Sequence, residues 1–337
     1  MTEAEIREAI AANGGRGIII AGVSNEDYHG GPGLSSTGLK TILTHSVGKY
    51  LYEKANPKES SAALTFGNAW HTKILEADEF KNRYFTEQEL PAAPPRNKKE
   101  GKDLYADWEK EHLDYFATKY GANTLDAPAW QIEYTLWKHP EFSKKTQLKD
   151  KEIELMKVME ERFREHPILA EYLNGAKTEL SIYWIDKTTG LLCKCRPDIL
   201  NQELGVIGDL KTCQDISAEE FRGDITFHLY HLSAAFYVDG VEDALGERLN
   251  FVYIPSEKNY PFFSTHYRAN EASLEAGQLL YQRALRRFAR YSMESEKLKA
   301  ESPEKKIWIG MPIQLTDIDI RTYGYTFDQT FAYDNEQ

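Results

Sequence analysis

Residues 178–212 read TELSIYWIDKTTGLLCKCRPDILNQELGVIGDLKT, and the alternation within them decides the fold. Residues 180–186 have the two-residue period of a half-buried strand, Lys187-Thr188-Thr189-Gly190 has turn composition, and residues 191–200 read as a second strand. Residues 201–205 make another turn before a third strand over 206–211. The simplest arrangement is three short antiparallel strands. Side chains alternate along a strand, so Lys194, Arg196 and Asp198 share one side of the middle strand, opposite Cys193, Cys195, Pro197 and Ile199. Asp209 and Lys211 share a face of the next strand. The turn between them is short, which places Asp198 beside Asp209 and puts two carboxylates and an amine on one side of a hairpin.

Two carboxylates that converge repel each other, and the usual resolutions are a shared proton or a bound divalent cation. Hard oxygen ligands suit Mg²⁺ or Mn²⁺. A lysine two residues after the second carboxylate can orient or deprotonate a water and stabilise charge on a phosphate under attack. Asp-x-Lys alone is common on exposed strands. Its setting is not: Arg196-Pro197-Asp198, a tight turn, Val206-Ile207-Gly208, then Asp209-Leu210-Lys211-Thr212 and a helix containing Tyr237.

Outward from this stretch, Thr2 and Glu5 have capping-box spacing and Gly14-Gly15 supply a stop, predicting a helix over 3–12 and then a strand over 18–23. Residues 24–36, rich in Gly, Asp, Asn and Pro, read as an ordered loop. Ser35 or Ser36 then caps a helix running through Leu39, Ile42, Leu43 and Tyr50. A helix over 64–77 places Leu64, Gly67, His71, Ile74 and Leu75 on one face. Residues 87–147, with Pro91, Pro94 and Pro95 and the basic run Arg96, Lys98, Lys99 and Lys102, read as a helical insertion. Those lysines lie near Tyr105 and Trp108, and both a phosphate grip and a solvated charge run fit them. Residues 148–173 are helical by pattern, as are 225–238 and 272–291, with strands over 250–254 and 262–267. The domain reading is an N-terminal helix and strand over 1–22, a main domain over 23–300, and an acidic, aromatic tail over 301–337.

The 337 residues are 41% hydrophobic and 28% charged, which leaves room for a sizeable core. No apolar run reaches the ~18 residues of a membrane span, and the start lacks the basic and apolar segments of a secretory signal, so a cytoplasmic setting without membrane contact is expected. Cys193, Cys195 and Cys213 form an odd set that argues for reduced thiols. They fall one thiolate short of an iron–sulfur cluster, and none is expected.

Acidic residues outnumber basic ones 53 to 41, a net charge of -12 that argues against binding nucleic acid over the whole surface. The excess is uneven, with Asp317, Asp319, Asp328, Asp334 and Glu336 against Arg321 at the end of the chain. The sharper expectation is an acidic exterior, with positive potential confined to a channel around Lys194, Arg196 and Lys211. Arg283, Arg286, Arg287 and Arg290 form a basic helical stripe that could extend the channel or face solvent.

Five blocks, in order, resemble the PD-(D/E)xK nucleases of the RecB-like branch, and among them the nuclease domain of RecE-type exonucleases (exonuclease VIII). They are GVSNEDYHGGPGLSSTGLK (22–40), FGNAWHTKILE (66–76), TELSIYWIDKTTGLLCKCRPDIL (178–200), GDLKT (208–212) and YHLSAAFYVDG (230–240). The resemblance implies an α/β restriction-endonuclease-like fold, with a mixed central sheet flanked by helices and a metal site at one sheet edge. It implies His71, Asp198 and Asp209 as metal ligands, the Leu210 carbonyl as a further contact and Lys211 as the catalytic lysine acting with Asp198 and Asp209. A lone histidine on an apolar helix face is more often a core residue, but the block around His71 favours a ligand. Glu179 stands where related nucleases carry a glutamate near the metal, and duty at the metal site and an ordinary strand-end charge both remain open. Tyr237 matches the tyrosine of a Gln-x-x-x-Tyr helix that holds the substrate phosphate, with Ser233 in place of the glutamine. Arg196 completes the substrate-binding candidates.

The same resemblance implies an exodeoxyribonuclease that uses Mg²⁺, with Mn²⁺ as a substitute, and degrades linear double-stranded DNA 5′ to 3′. Its products would be 5′-mononucleotides and 3′ single-stranded ends for recombination. It also implies a homo-oligomeric ring, a tetramer, and a RecT-type single-strand annealing protein as partner, in phage or prophage recombination inside a bacterial cell. Alternatives are a nuclease of the same fold with other polarity or an endonucleolytic habit, and a non-catalytic DNA-end-binding module. The full set His71, Asp198, Asp209 and Lys211 argues against the last, because a binding module has no need of it.

Overall fold

The computed structural model describes residues 1–57, 60–90 and 138–301, with scattered positions between 107 and 136. Among the described residues the strands are β1 (Ile18–Ile20), β2 (Tyr84–Thr86), β3 (Thr146–Leu148), β4 (Lys177–Thr178), β5 (Ser181–Ile185), β6 (Leu192–Cys195), β7 (Ile199–Asn201), β8 (Val206–Cys213), β9 (Asn250–Glu257) and β10 (Tyr267–Arg268). The central sheet has the order β10-β9-β8-β7-β4. β9 runs parallel to β8 while the other pairings are antiparallel, so the sheet is mixed. A parallel neighbour needs a crossover, and the helices Ala218–Phe227 and Tyr230–Leu245 supply it between β8 and β9. A second, antiparallel sheet has the order β1-β5-β6, and β2 pairs with β3 in parallel.

β8 is central because side chains from both of its faces enter apolar cores. Val206 and Leu210, with Ile199, Val252 and Ile254, pack under the helices Ala62–Leu75 and Asp150–Glu165 through Phe66, Trp70, Met156, Met159 and Phe163. Each large side chain buried there contributes roughly 1.5–3 kcal/mol. Ile207 and Cys213, with Phe251 and Tyr253, belong to the opposite core under the helix Tyr230–Leu245. That helix also lies on β5 and β6 and so spans both sheets. Gly240 permits the close approach, since a Cβ there would sit 2.5 Å from the Trp184 ring. At the centre of β8, a Cβ on Gly208 would lie 3.0 Å from Ile199 Cβ and 3.2 Å from Ile254 Cδ1.

Several expected elements divide. The strand expected over 191–200 splits into β6 and β7, which belong to different sheets. Pro197 lies in the gap and has no N–H to continue the ladder. The chain opposite splits at the same level, between β4 and β5, where Glu179 takes a left-handed backbone with φ 53°. The helix expected over 225–238 becomes two, divided at His228-Leu229, where Leu229 has φ 51° and ψ 43°. Ser35 caps Ser36–Thr44 as expected, but Ser46 caps a separate helix, Val47–Ala55. Pro167 likewise divides 148–173 into Asp150–Glu165 and Pro167–Leu173, and the strand expected over 262–267 is replaced by the shorter Tyr267–Arg268, which overlaps it only at Tyr267.

The chain divides into two compact units, Met1–Tyr291 and Ser292–Gln337. The expected N-terminal piece is part of the first unit: β1 pairs with β5, and Ile6 and Ile10 of Glu3–Ala12 pack on Tyr183 and Leu192. Most of the expected insertion, including Lys98, Lys99, Lys102, Tyr105 and Trp108, and the tail beyond residue 301 lie outside the described residues. Among the described residues no helix is long and apolar enough to cross a membrane. Cys193, Cys195 and Cys213 are buried free thiols, and burial pushes all three up.

Candidate active site

The two strand breaks lie side by side. Thr178 pairs with Ile199 in one sheet and Ile182 with Cys195 in the other, so residues 179–181 and 196–198 face each other where the sheets part. Glu179 and Asp198 occupy these breaks. His71 reaches them from the helix Ala62–Leu75, whose Phe66, Trp70 and Ile74 are anchored in the core. One ligand atom each from His71, Glu179 and Asp198 lies within 4.8 Å of the others.

The backbone of β8 completes the arrangement. Leu210 N–H donates to Asp198 Oδ2 at 2.6 Å, while Leu210 O lies 2.9 Å from His71 Nε2 and accepts from Lys211 Nζ at 3.0 Å. His71 Nδ1 is 3.4 Å from Asp198 Oδ1. Lys211 Nζ is paired with Asp209 Oδ2. Asp198, His71 and Lys211 therefore meet the backbone N–H and C=O of Leu210, and Asp209 joins them through Lys211.

Burial governs the electrostatics. It pushes Glu179 up to about 7 with help from Asp198. It would also raise Asp198, but the adjoining His71 outweighs it and holds Asp198 below its usual range. Burial opposes charge on His71, yet Asp198 raises it overall. Burial raises Asp209 beyond what Lys211 offsets, and it would lower Lys211, which Asp209 and Asp198 hold up instead. The upward shift of Lys211 favours its ammonium form beside Asp209. Of the three buried or half-buried carboxyl groups, those of Glu179 and Asp198 converge with His71, a set of hard oxygens and an imidazole that fits a divalent cation, while Asp209 lies outside that group and is paired with Lys211.

A cavity of about 720 Å³ opens on this site, lined among others by His71, Glu179, Asp198, Lys194, Arg196 and Tyr237. Lys194 and Arg196 are less available than their positions on the strand suggested. Lys194 Nζ donates to Tyr28 O and to Gly31 O, the latter at 2.9 Å. Arg196 donates to Ser181 Oγ, Asn25 Oδ1 and Val23 O, and both cations lie over the Tyr28 ring. They tie the segment 23–31 to the sheet, and the positive channel expected around them is reduced accordingly. Arg196 Nη1 also lies 4.0 Å from Glu179 Oε2. Tyr237 is on the cavity wall, whereas Ser233, one turn earlier and buried, is not among its lining residues. Of the arginine stripe, Arg286 and Arg290 are exposed, while Arg287 turns inward and donates to Leu43 O at 2.9 Å.

Two residues beside the site escaped the sequence reading. Lys40 Nζ and Lys211 Nζ each lie 5.2 Å from the centre of the Tyr230 ring. Burial, with Lys211 nearby, lowers Lys40 to about 7. Lys40 ends the quoted block 22–40 and Tyr230 begins the block 230–240, so their membership of those blocks was the available signal.

The sequence pattern of the family described as "PDDEXK-like domain of unknown function (DUF3799)" matches residues 35–302. No curated protein matches the chain. Among solved structures, one from Eubacterium rectale described as "Putative exonuclease" is similar at 15% identity and a TM-score of 0.47, covering 80% of this chain and 87% of that one.

Proposed function

Because the chain belongs to the PDDEXK-like family, and has the restriction-endonuclease-like fold with its mixed sheet and flanking helices, we propose that it is a metal-dependent exodeoxyribonuclease acting on linear double-stranded DNA. The observation that carries this reading is the pair of strand breaks that brings Glu179 and Asp198 to His71, with Asp209 and Lys211 on the adjoining strand. His71, Asp198 and Asp209, with the Leu210 carbonyl and Glu179, would hold the cation. A bound Mg²⁺ or Mn²⁺ would supply an activated water and offset charge on the scissile phosphate. Asp198 is kept in position by the Leu210 N–H, and His71 is aligned by Asp198 and the Leu210 carbonyl. Lys211, held as an ammonium by Asp209, acts as a donor that stabilises charge on the phosphate and does not remove a proton.

The finer properties follow the five-block resemblance: 5′-to-3′ polarity, 3′ single-stranded products for recombination, Mg²⁺ as the working ion, a tetrameric ring, a RecT-type partner and a phage or prophage setting inside a bacterial cell. Linear duplexes labelled and blocked at either end, incubated with Mg²⁺ or EDTA, test them. Release of mononucleotides from free 5′ ends, abolished by EDTA and by Asp209→Ala, is expected. Degradation that persists with EDTA, or an active Asp209→Ala, overturns the metal site; attack from 3′ ends overturns the polarity. Binding of DNA ends without any hydrolysis would instead favour the non-catalytic module.

A further inference from the structure

The break between the helices Ala218–Phe227 and Tyr230–Leu245 arranges three rings in a row. Phe227 meets His228 edge-on at 4.9 Å between ring centres. His228 then stacks on Tyr230 at 5.2 Å with 26° between the planes. Tyr230 is half-buried and carries Lys211 Nζ and Lys40 Nζ, each 5.2 Å from its centre. At the outer end Phe227 is 83% exposed and His228 is exposed as well. The row therefore leads from solvent to the lysine of the site, and Leu229, between His228 and Tyr230, holds it with a left-handed backbone that a leucine rarely adopts.

The exposed Phe227 ring leaves the outer end of the row open to an occupant. Its inner end fixes the chemistry of that occupant: the Lys211 ammonium, with Lys40 Nζ beside the same ring, favours a polyanion, and the ring faces favour flat, aromatic groups along it. A nucleic-acid strand has both, and every base offers a π-face irrespective of sequence. We propose that Phe227, His228 and Tyr230 form a stacking track for the unpaired bases of the DNA strand whose phosphate reaches Lys211. The proposal rests on the nuclease reading and extends it. It makes an unpaired strand end, not intact duplex, the species seated beside the lysine, and assigns Phe227 and His228 as positioning residues.

The test uses the full chain and a single-stranded oligonucleotide carrying 2-aminopurine, in EDTA so that nothing is cut, beside hydrolysis of end-labelled duplex with Mg²⁺ or Mn²⁺. Wild-type protein should quench the aminopurine. Phe227→Ala removes an exposed ring and should melt as the wild type does. It should weaken binding by about 5- to 100-fold, the loss expected for one stacked base, and should raise KM more than it lowers kcat. Phe227→Trp should restore binding and quenching, and His228→Ala should act in the direction of Phe227→Ala. On a strand made abasic near its end, wild type and Phe227→Ala should bind alike. Unchanged quenching and binding in Phe227→Ala, or a loss that persists on the abasic strand, overturns the track. Quenching that depends on Phe227 in a protein with no hydrolysis under either metal supports the track and overturns the nuclease reading. Hydrolysis with quenching indifferent to Phe227 does the reverse.

Discussion

Glu179→Gln isolates the cost of gathering carboxylates without a cation between them. Glu179 lies within reach of Asp198 and His71, and burial together with Asp198 raises its carboxyl from 4.5 to about 7. The unfolded chain ionises near 4.5, so between these pH values the folded protein holds a proton that the unfolded one has released. Stability therefore falls as pH rises through this window; the penalty is complete above about pH 7 and absent below about pH 4.5. The rise from 4.5 to about 7, at about 1.36 kcal/mol per unit, amounts to about 3 kcal/mol. For the unit Met1–Tyr291, an unfolding entropy of about 2.1 cal/mol/K per residue converts this to about 5 °C in Tm. Glutamine has nearly the same shape and leaves the left-handed backbone as it is. Calorimetry in EDTA at pH 8 should show the variant melting about 5 °C above wild type, with the gap closing toward pH 4.5. Added Mn²⁺ should raise the wild type more than the variant. Equal melting in EDTA at pH 8, or an equal gain from Mn²⁺, would refute the claim that these carboxylates converge on a cation site.

Three further perturbations probe the surroundings. Lys211→Met should lower kcat on linear duplex by about 10²- to 10³-fold, the usual cost of removing a donor to developing charge, while Mn²⁺ binding measured calorimetrically changes little. Gly208→Ala places a Cβ against Ile199 and Ile254 and should cost about 1–3 kcal/mol in urea unfolding; an unchanged midpoint would mean that β7 and β8 are less tightly packed than described. Burial lowers Lys194 from 10.5 to about 8, so between those pH values the unfolded chain binds the extra proton and wild-type stability rises with pH. Lys194→Met should lose that rise, read as the difference in urea midpoints between the two proteins across the window.

The central hairpin was legible because its information is local. Period-two alternation and a five-residue turn suffice to set Asp198 against Asp209 and Lys211, and β7 pairs with β8 as that reading requires. The change of sheet at Pro197 was also written locally, in a residue without an N–H, yet alternation running straight through it suggested one strand. Glu179 illustrates a different limit: nothing in its neighbours announces a left-handed backbone, which arises from two sheets parting at that level. Lys194 and Arg196 do reach the same ring, Tyr28, although Arg196 lies just past the end of β6; their partners at Val23, Asn25, Tyr28 and Gly31 come from far away in the chain, so their role in tying down a loop could not be read from spacing. The same holds for Lys40 and Tyr230, which meet only because separate helices close over the end of β8.

Crystals grown with Mn²⁺ and measured at its absorption edge test the central claim most directly. An anomalous peak bound by His71, Asp198, Asp209 and Glu179 together with the Leu210 carbonyl is expected, and no such peak in Asp198→Asn crystals treated in the same way. A peak bound elsewhere, or one that survives in Asp198→Asn, would contradict it.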